Sequence, residues 1–411
     1  GRHRLVWRNA GGGGIGLDAY VFALDPGFVP ADSPKPTDSE TVVVLQGEAC
    51  VAMRSRDGTL PGGARAAVWL RGDGGGLRDL TVCGNPQVTI GVLLRHSERL
   101  RWIRGCRLTG CRVADVEGKS GRTAAVRCVR VEDATIRGNE LQGRAPVYLA
   151  GIRRSAIAGN RLVPVTRYGN NALAAILGRC DTVEECVIQN NRIGSSAGCG
   201  AGGPQVMRMI WSASGHGSVT RNWFAGNRVE RDGKAGAMRF GGVAGENQNV
   251  GEVILFEANH RTMFHGRLEG ATTRSVLLPA SVPPTPEDRL GSVEREDLAY
   301  TETGEETFFR PPDADDVSEE PPIHEYFVTV MAGTGHGQTR RLVRRDGREL
   351  ILERPWHVAP DAGSTVVVGT GYYRNLVVGH EVSDGMSGIQ LWISCMENVV
   401  SGNTVTRMRR P

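Results

Sequence analysis

Three observations on the 411-residue sequence predict an all-β protein of the right-handed parallel β-helix class, a three-sided solenoid. Glycine is abundant, with 56 residues, and aromatics make up only 6%, which suits short strands between tight turns. A short phrase recurs along the chain: two or three apolar or β-branched residues, usually Gly-Asn, then another apolar residue. No 3.6-residue apolar period runs through these units, so helical repeats are disfavoured.

Each copy of the phrase is predicted to mark one coil of the solenoid. The copies end at Asn85, Cys106, Asn139, Asn160, Asn191, Asn227, Asn259, His380 and Asn403. The steps from 85 to 106, from 139 to 160 and from 380 to 403 are 21, 21 and 23 residues, the length of one rung. Gly and Asn tolerate a left-handed backbone, and Asn amides can hydrogen-bond along the stack. We therefore expect sharp corners that form an asparagine ladder on one edge.

The step from Asn259 to His380 is 121 residues, which indicates an insertion. Its first part, from about Ser275 to Pro322, is rich in Pro, Glu and Asp and is predicted to be an extended, exposed linker. The second part, over 326–369, alternates strands and turns and is predicted to be a small β module. The expected organisation is a β-helix with an N-terminal cap region over 1–268, the linker and module over 269–370, and final rungs over 371–411.

The module contains the pattern G-x-G-x-G-Q-x-R, followed by a strand and then by P-W and P-D-x-x-S. Its residues are Gly333, Gly335, Gly337, Gln338, Arg340, Pro355, Trp356, Pro360, Asp361 and Ser364. This pattern resembles a segment of phage tail proteins and bacterial β-helix proteins of the pectate-lyase-like superfamily. The resemblance covers the rungs and the module, and it implies a fold rather than an activity. We interpret Gly337, Gln338 and Trp356 as structural turns with a strand anchor.

Composition limits the classes of partner. The formal charge of +4 is small and the charges are interspersed, so nucleic-acid binding is not indicated. Lysine occurs only at 35, 119 and 234 among 49 basic residues, which reflects either codon bias or arginine forks suited to the carboxylates of an acidic glycan. The nine cysteines include no C-x-x-C pair, and those in apolar runs are expected to be small buried hydrophobes.

Two features bear on location. No apolar run reaches membrane-spanning length, so no membrane partner is expected. The chain opens with GRHRLVWRNA, which is not a signal peptide, although a signal could have been removed before Gly1. The expected location is secreted or cell-surface.

The substrate is predicted to lie in a groove along one side of the solenoid, where loops form walls. The longest rungs lie between Asn160 and Asn259, so the groove is expected between Arg153 and Glu252, with His216 on its wall. Residues expected to bind substrate are Arg153, Tyr168, Asn170, Trp211, Asn249 and Trp392. Trp211 and Trp392 could stack on a sugar ring or pack in the core.

The candidate catalytic residues are His216, Asp181, Glu246, Arg179 and Arg239. The Gly-His-Gly-Ser stretch at 215–218 resembles that of polygalacturonases, which implies that His216 supports catalytic carboxylates. The sequence departs from that family, since it lacks the upstream Asp-Asp pair and the downstream Arg-x-Lys. Asp181 with Glu246 could flank a scissile bond as acid and base. Alternatively, Arg179 and Arg239 could stabilise a uronate carboxylate in a lyase.

The sequence therefore predicts a carbohydrate-active β-helix that cleaves a polysaccharide as a glycoside hydrolase or a polysaccharide lyase. The alternative is a non-catalytic glycan-binding or tail-fibre-like adhesin on the same scaffold. Tail-type β-helices are usually trimers, which makes a homo-trimer the expected assembly for that alternative. No carboxylate cluster of the D-x-D-x-D kind is present, so no metal and no cofactor are predicted.

Overall fold

The structure of the protein is a computed structural model. It describes residues 4–6, 44–46, 50–52, 66–84, 88–96, 101–114, 116, 124–143, 145–164, 175–178, 182–194, 210–212, 218–230, 252–256, 262–282, 326–383, 387–391 and 394–406. Every regular element in these residues is a β-strand. The prediction of an all-β chain is confirmed.

The first 25 strands belong to the solenoid. Its strands are β1 (Arg4–Val6), β2 (Val44–Gln46), β3 (Cys50–Ala52), β4 (Ala66–Leu70), β5 (Gly76–Arg78), β6 (Thr81–Cys83), β7 (Ile90–Leu94), β8 (Ile103–Arg104), β9 (Arg107–Thr109), β10 (Arg112–Ala114), β11 (Ala124–Glu132), β12 (Thr135–Arg137), β13 (Glu140–Gly143), β14 (Ala145–Arg153), β15 (Ala156–Ala158), β16 (Arg161–Pro164), β17 (Ile176–Gly178), β18 (Val183–Glu184), β19 (Val187–Gln189), β20 (Arg192–Gly194), β21 (Ile210–Ser212), β22 (Val219–Thr220), β23 (Trp223–Ala225), β24 (Arg228–Glu230) and β25 (Glu252–Phe256).

The remaining strands form an inserted sheet and the last coils. The inserted strands are β26 (Thr262–Arg267), β27 (Gly270–Ala271), β28 (Ser275–Leu277), β29 (Phe327–Ala332), β30 (Thr339–Asp346), β31 (Glu349–Leu352) and β32 (Thr365–Gly369). The last coils are formed by β33 (Tyr372–Tyr373), β34 (Leu376–Val378), β35 (Glu381–Ser383), β36 (Ser387–Leu391), β37 (Cys395–Met396), β38 (Val399–Ser401) and β39 (Thr404–Thr406).

Three parallel sheets make the three sides of the solenoid. Sheet A has 13 strands, sheet B runs β2-β5-β9-β12-β15-β19-β23-β34-β38, and sheet C runs β1-β3-β6-β10-β13-β16-β20-β24-β35-β39. Each coil passes from sheet A through a first corner to sheet B, and through a second corner to sheet C. Inward aliphatic side chains of all three sheets form one buried core. The predicted three-sided parallel β-helix is confirmed.

The second corner carries the predicted asparagine ladder. The Nδ2 of Asn139 donates to Oδ1 of Asn160 at 2.9 Å, Asn160 donates likewise to Asn191, and Asn191 to Asn227. The ladder continues to the corner positions of the last two coils, 380 and 403. The residue before the Asn is left-handed, as at Gly138 with φ +66°. These positions confirm the prediction, whereas Asn85 and Asn259 lie outside the described residues.

One corner assignment was wrong. Cys106 lies at the first corner, between sheets A and B, and the residue of that coil on the ladder is Cys111, whose N–H donates to Oδ1 of Asn139. Gly-Cys occurs at both corners of this coil, as Gly105-Cys106 and Gly110-Cys111, so the phrase alone could not separate them. The step from this ladder position to Asn139 is 28 residues.

A second asparagine ladder runs along the first corner in the later coils. The N–H of Cys186 donates to Oδ1 of Asn222, the Nδ2 of Asn222 donates to Asn375, and that of Asn375 donates to Asn398. Sequence analysis missed this ladder because no glycine precedes these residues. Each ladder residue here stands five positions before its partner on the second corner, so the sheet B side has a constant length.

Cysteines behave as small core residues. Cys106, Cys111, Cys128 and Cys186 are buried and free, and burial raises the pKa of the Cys106 thiol to about 12. Cys83 and Cys395 are half-buried. The interpretation as buried hydrophobes is confirmed for three of the predicted positions, 106, 128 and 186. Such thiols stay protonated at neutral pH and are chemically inert.

The inserted sheet interrupts a single side of one coil. β25 pairs with β21 and β36 in one half of sheet A, and β33 pairs with β22 and β37 in the other half, so 257–371 separates two halves of the same sheet A layer. The seven inserted strands are antiparallel, in the order β26-β32-β29-β30-β31-β28-β27. The predicted β module is confirmed. The domain division at 268/269 and 370/371 stays a prediction.

The module begins earlier than its predicted linker allowed. Residues 262–267 already pair with β32, and Ser275–Leu277 pair with β31. Ser275, Val276 and Leu278 are buried, so the predicted exposed linker was wrong for its first residues, 275–278. The apolar run SVLL supplies two core side chains, which overrides the Pro-rich composition that follows. β26 and β27 are consecutive in the chain and occupy the two ends of this strand order, where β26 pairs with β32 and β27 with β28.

The glycine-rich motif of the module is structural, as interpreted. Oε1 of Gln338 accepts from the N–H of His357 at 2.8 Å, and its Nε2 donates to O of Gly335 and O of Val358. Nε of Arg340 donates to O of Pro355 at 2.8 Å, and its guanidinium lies 5.1 Å from the Trp356 ring centroid. Oγ of Ser364 hydrogen-bonds to O of Thr334 and to Oδ1 of Asp361, so the motif connects two loops.

Candidate functional site

Most of the predicted site residues fall in segments that the structure does not describe. Arg153 is described in full at the end of β14, and the backbone of Trp211 is described in β21. The remaining predicted residues, Tyr168, Arg179, Asp181, His216, Arg239, Glu246, Asn249, Asn170 and Trp392, lie outside the described residues. Their roles stay predictions.

Sheet A carries one register column whose described side chains point away from the core. The column runs through Trp69, Leu93, Arg127, Tyr148, Leu177, Trp211, Leu255 and Gln390. Neighbouring residues of β7 belong to the solenoid core, whereas Leu93 and Tyr148 belong to a separate buried cluster, which follows from the alternation of strand side chains. The guanidinium of Arg127 lies 4.9 Å from the Tyr148 ring centroid.

The early coils of this outer face are closed to solvent. Leu93 is 2% exposed, Arg127 5% and Tyr148 0%. A polymer therefore cannot reach the face at these three rungs in this conformation. Trp69 is half-buried, and its Nε1 donates to O of Arg95 at 2.8 Å. The groove was predicted on later rungs, from Arg153 onward, so this burial leaves that prediction open.

The border of sheet A at the first corner is built from charged residues. From the Asn139 coil onward, the position six residues before each second-corner residue has a left-handed backbone, with φ between 48° and 55°. Its occupants are Asp133, Arg154, Glu185, Arg221, Arg374 and Glu397. Left-handed backbone is strained for residues other than Gly, and ion pairs between adjacent rungs help to offset it, as for Nε of Arg154 and Oδ1 of Asp133 at 3.0 Å.

Glu132 organises an arginine cluster on this border, defined by Arg104, Arg153, Arg154 and Trp102. The Glu132 side chain has no exposed surface. Its Oε2 accepts from Nε of Arg153 at 2.6 Å and from Nη2 of Arg154 at 2.7 Å, and its Oε1 accepts from Nε of Arg104. The Arg153 guanidinium also lies 4.1 Å from the Trp102 ring centroid. One carboxylate therefore fixes three arginines, which come from the two rungs that flank its own.

This carboxylate is ionised and unsuited to act as a catalytic acid. Burial opposes its ionisation, but hydrogen bonds from Arg153, Arg154 and Arg104 outweigh burial and hold the pKa of Glu132 below its usual range. Arg104 and Arg153 each donate to Glu132 through Nε only. Within the described chain their Nη groups donate to no protein atom. Their side chains are 65% and 28% exposed, so these donors face solvent.

A second ionic cluster ties the module to the solenoid. Oε1 of Glu184 lies 2.6 Å from Nη2 of Arg221 and 2.7 Å from Nη1 of Arg341, which comes from β30 of the module. Arg221 also pairs with Glu353 of the module at 3.4 Å. Phe327 of the module packs on Tyr373 with ring centroids 4.5 Å apart. These contacts make the carboxylates here structural partners of arginine.

The described residues hold no group of three His, Cys, Asp or Glu side chains that could bind a metal ion. They contain no helix able to span a membrane.

The arginine cluster can donate hydrogen bonds to an oxygen-rich ligand, with Trp102 beside it as an apolar ring. Sequence analysis named only Arg153 of this cluster. The missed signal was the alternation of arginine and acid seven residues before the second-corner residue in four successive coils, at Arg104, Glu132, Arg153 and Glu184.

Comparison with known proteins identifies no family for this chain. No protein-family model matches the chain, and no curated protein is significantly similar. A mutant of DFA-IIIase from Arthrobacter chlorophenolicus A6 matches with a TM-score of 0.33 and 14% identity, over 48% of this chain and 40% of that one. The Dettilon tailspike protein matches with a TM-score of 0.27 and 17% identity, over 46% and 41%.

DFA-IIIase has also been solved in complex with DFA-III, and that structure matches with a TM-score of 0.27 and 14% identity, over 41% of this chain and 42% of that one. This chain thus spans less than half the length of these three structures. The three parallel sheets and their corner ladders define the protein as a three-sided parallel β-helix. The structural matches are to a DFA-IIIase and to a phage tailspike.

Proposed function

We propose that the protein is a carbohydrate-active β-helix that holds a polysaccharide along sheet A and cleaves it as a glycoside hydrolase or a polysaccharide lyase. One observation carries the proposal: Glu132 fixes the guanidiniums of Arg104 and Arg153, and among the described residues no protein atom accepts a hydrogen bond from their Nη groups. Fixed arginine donors suit hydroxyl and carboxylate oxygens, and an adjacent aromatic ring suits the apolar face of a sugar. We propose a secreted or cell-surface location, because polymeric glycans occur there.

Catalysis is assigned to His216, Asp181, Glu246, Arg179 and Arg239. Chain order supports this assignment for three of them. Residues 179–181 lie in the chain between β17 and β18, and 213–217 lie between β21 and β22. β18 is the neighbour of the end of β14, with Arg153 opposite Glu184, and β22 follows β18. The segments with Arg179, Asp181 and His216 thus begin and end on the rungs that follow the arginine cluster.

Substrate contacts are assigned to Arg153, Tyr168, Asn170, Trp211, Asn249 and Trp392. Support for Trp211 comes from register, because its backbone continues the outward column of Tyr148 through Leu177. Arg153 is the member whose surroundings are known. Because its Nε is held by Glu132, its Nη groups are preorganised for a ligand oxygen, which reduces the entropy lost on binding.

The test is a panel of acidic and neutral polysaccharides, assayed for binding, for new reducing ends and for absorbance of unsaturated uronates. Arg104→Gln should weaken binding of the recognised polymer by about tenfold, the loss expected for charge-assisted hydrogen bonds. Arg161→Gln is the matched control, since Arg161 is an exposed arginine of sheet C paired with Glu140. Equal affinities of wild type and Arg104→Gln would contradict the arginine cluster as the binding site.

A second candidate is glycan binding without cleavage, as a tail-fibre-like adhesin that forms a homo-trimer. It is favoured by the pairing of carboxylates in the described part of the border, where Glu132, Asp133, Glu184 and Glu185 each contact an arginine. Cleavage of a glycosidic bond by two carboxylates needs them to flank the bond instead. Binding with no product on any polymer, together with a molar mass three times that of the chain, would favour this candidate.

A further inference from the structure

The outer face of sheet B carries three exposed arginines on three neighbouring rungs. They are the last residue of β5, the first of β9 and the last of β12, namely Arg78, Arg107 and Arg137. In register, Thr109 lies between Arg78 and Arg137, and Arg107 stands two positions before Thr109 on the same strand. Adjacent strands are about 4.8 Å apart, and alternate residues of one strand are about 7 Å apart. All three guanidiniums can therefore reach a ligand placed above Thr109.

These three arginines, here called the sheet B patch, lack acidic partners. Elsewhere on the solenoid a neighbouring rung supplies a carboxylate to an exposed arginine, as Glu140 does for Arg161. On sheet B the residues opposite the three arginines are uncharged, at Gly76, Thr109 and Thr135. Among the described residues no atom accepts a hydrogen bond from the three guanidiniums, and no carboxylate forms an ion pair with them. The donors of the patch are thus available to a ligand.

The coils around the patch are strongly basic. Residues 66–164 contain 17 lysines and arginines against eight aspartates and glutamates, an excess of nine positive charges, whereas the whole chain has a formal charge of +4. Arg104 of the arginine cluster lies at the end of β8, three residues before Arg107, so the two basic surfaces meet across the first corner. A concentration of one charge sign on one part of a surface attracts ligands of the opposite sign.

We propose that the sheet B patch binds an oxyanion group of an acidic polysaccharide. Arg78, Arg107 and Arg137 donate to its oxygens, and the Thr109 hydroxyl lies between them. Arginine forks suit this task because they donate two parallel hydrogen bonds to carboxylate or phosphate oxygens. The patch lies on a different sheet from the groove of the proposed function, although the choice of a polysaccharide as ligand rests on that function.

Two other classes of polyanion fit the patch less well. Single-stranded nucleic acids are held by aromatic rings that stack on the bases, and β5, β9 and β12 contain no aromatic residue. Anionic membranes are bound by basic residues beside apolar ones that insert, and these three strands expose no large hydrophobic side chain. A polysaccharide needs neither feature, because its acidic groups repeat along the chain and can meet arginines on successive rungs.

The test is binding of the full chain to dextran sulfate, with uncharged dextran as the ligand control, measured by titration calorimetry. The double variant Arg78→Gln/Arg137→Gln should weaken binding of dextran sulfate by at least about tenfold, because two charge-assisted contacts are lost. Arg161→Gln/Arg228→Gln is the matched control, since it removes the same charge from sheet C, and it should weaken binding by less than about threefold. Far-ultraviolet circular dichroism confirms that each variant is folded.

Chemical modification of arginines gives a readout that needs no variant. Dextran sulfate should slow the reaction of phenylglyoxal with Arg78, Arg107 and Arg137 in the wild type and leave its reaction with Arg161 unchanged. Equal loss of affinity in the two double variants would overturn the proposal. Tighter binding of a single-stranded oligonucleotide or of anionic vesicles, at equal concentration of charge, would overturn it as well and assign the patch to that partner.

The two binding proposals can fail separately. Loss of binding in Arg104→Gln with none in Arg78→Gln/Arg137→Gln would overturn the sheet B patch and leave the proposed function standing. The reverse result would support the patch and contradict the arginine cluster as a binding site.

Discussion

The Nδ1 atom of His380 accepts a hydrogen bond from the backbone N–H of Asn227 at 3.1 Å, in the place where other rungs use an asparagine Oδ1. The N–H of His380 in turn donates to Oδ1 of Asn403 at 2.8 Å, so the ladder passes through the imidazole. The imidazole is buried, and burial lowers the pKa of His380 from 6.5 to about 4. A neutral ring is required, because a protonated Nδ1 cannot accept a hydrogen bond.

The first prediction is an acid-dependent loss of stability that His380 causes. Its folded pKa lies below its unfolded pKa, so its contribution is complete above pH 6.5 and is lost as the pH falls through about 4. The loss is about 3 kcal/mol at most. His380→Asn should remove this part of the pH dependence, measured by denaturant unfolding from neutral to acid pH. His336→Asn, an exposed histidine of the module, is the control. Identical pH profiles for wild type and His380→Asn would contradict the prediction.

The second prediction concerns the buried carboxylate of the arginine cluster. Glu132→Gln removes the charge that three arginines share and should lower the free energy of unfolding by about 3 kcal/mol, the cost typical of breaking a buried ion pair. Glu140→Gln is the control, because Glu140 is 37% exposed and bridges Arg112 and Arg161 on sheet C, where the loss should stay below about 1 kcal/mol. Chemical denaturation of both variants measures the difference. Equal losses would show that Glu132 is not the organising residue.

The third prediction separates steric fit from backbone strain in the glycine motif. A Cβ on Gly335, at φ +80°, would lie 2.7 Å from O of Val358, whereas one on Gly347, at φ +58°, would meet nothing within 4 Å. Gly347→Ala should therefore cost about 1 kcal/mol, from the left-handed backbone alone. Gly335→Ala should cost roughly 2–4 kcal/mol, because close contact adds to strain. Thermal unfolding of the two variants measures these losses of stability. Similar losses would mean that the loop around Val358 shifts to accommodate the added methyl group at little cost.

The ladders explain why the fold could be predicted from sequence. Gly-Asn at the second corner is a local requirement, since the left-handed turn and the amide ladder both select these residues, as at Gly159-Asn160. The same reasoning failed where both corners of a coil carry the same residue pair, and where no glycine marks the corner. Cys106 and Cys111 both follow glycine, and the first-corner ladder through Asn222 and Asn375 has no preceding glycine to mark it.

The site was harder to predict because its residues are defined by contacts between rungs. Glu132 and Arg153 are 21 positions apart and adjacent in space, and nothing in the local sequence of either residue indicates the pairing. Arg153 was named as a sugar ligand from its place at a strand end, which register confirms as the border of sheet A. The alternation of arginine and acid seven residues before the second-corner residues, at Arg104, Glu132, Arg153 and Glu184, would have identified Glu132 as its partner.

The last prediction concerns the contact that holds the module on the solenoid. Arg341 of the module is only 7% exposed and reaches Glu184, 2.7 Å away, which Arg221 also contacts. Arg341→Gln should weaken docking by about 1–3 kcal/mol, because a charge-assisted, largely buried hydrogen bond is lost.

A double-mutant cycle with Glu184→Gln tests the docking contact directly, and it should give a coupling energy of about 1–3 kcal/mol, since the two side chains touch. Hydrogen exchange should accelerate at the module strands that face the solenoid, β29 and β30, while the ladder amides at Asn160 and Asn191 keep their protection. Arg348→Gln is the control, because Arg348 pairs with Glu269 inside the module and should leave docking unchanged. Zero coupling between 341 and 184, or equal exchange in the two variants, would show that Phe327 on Tyr373 and the other packing contacts hold the module without this ion pair.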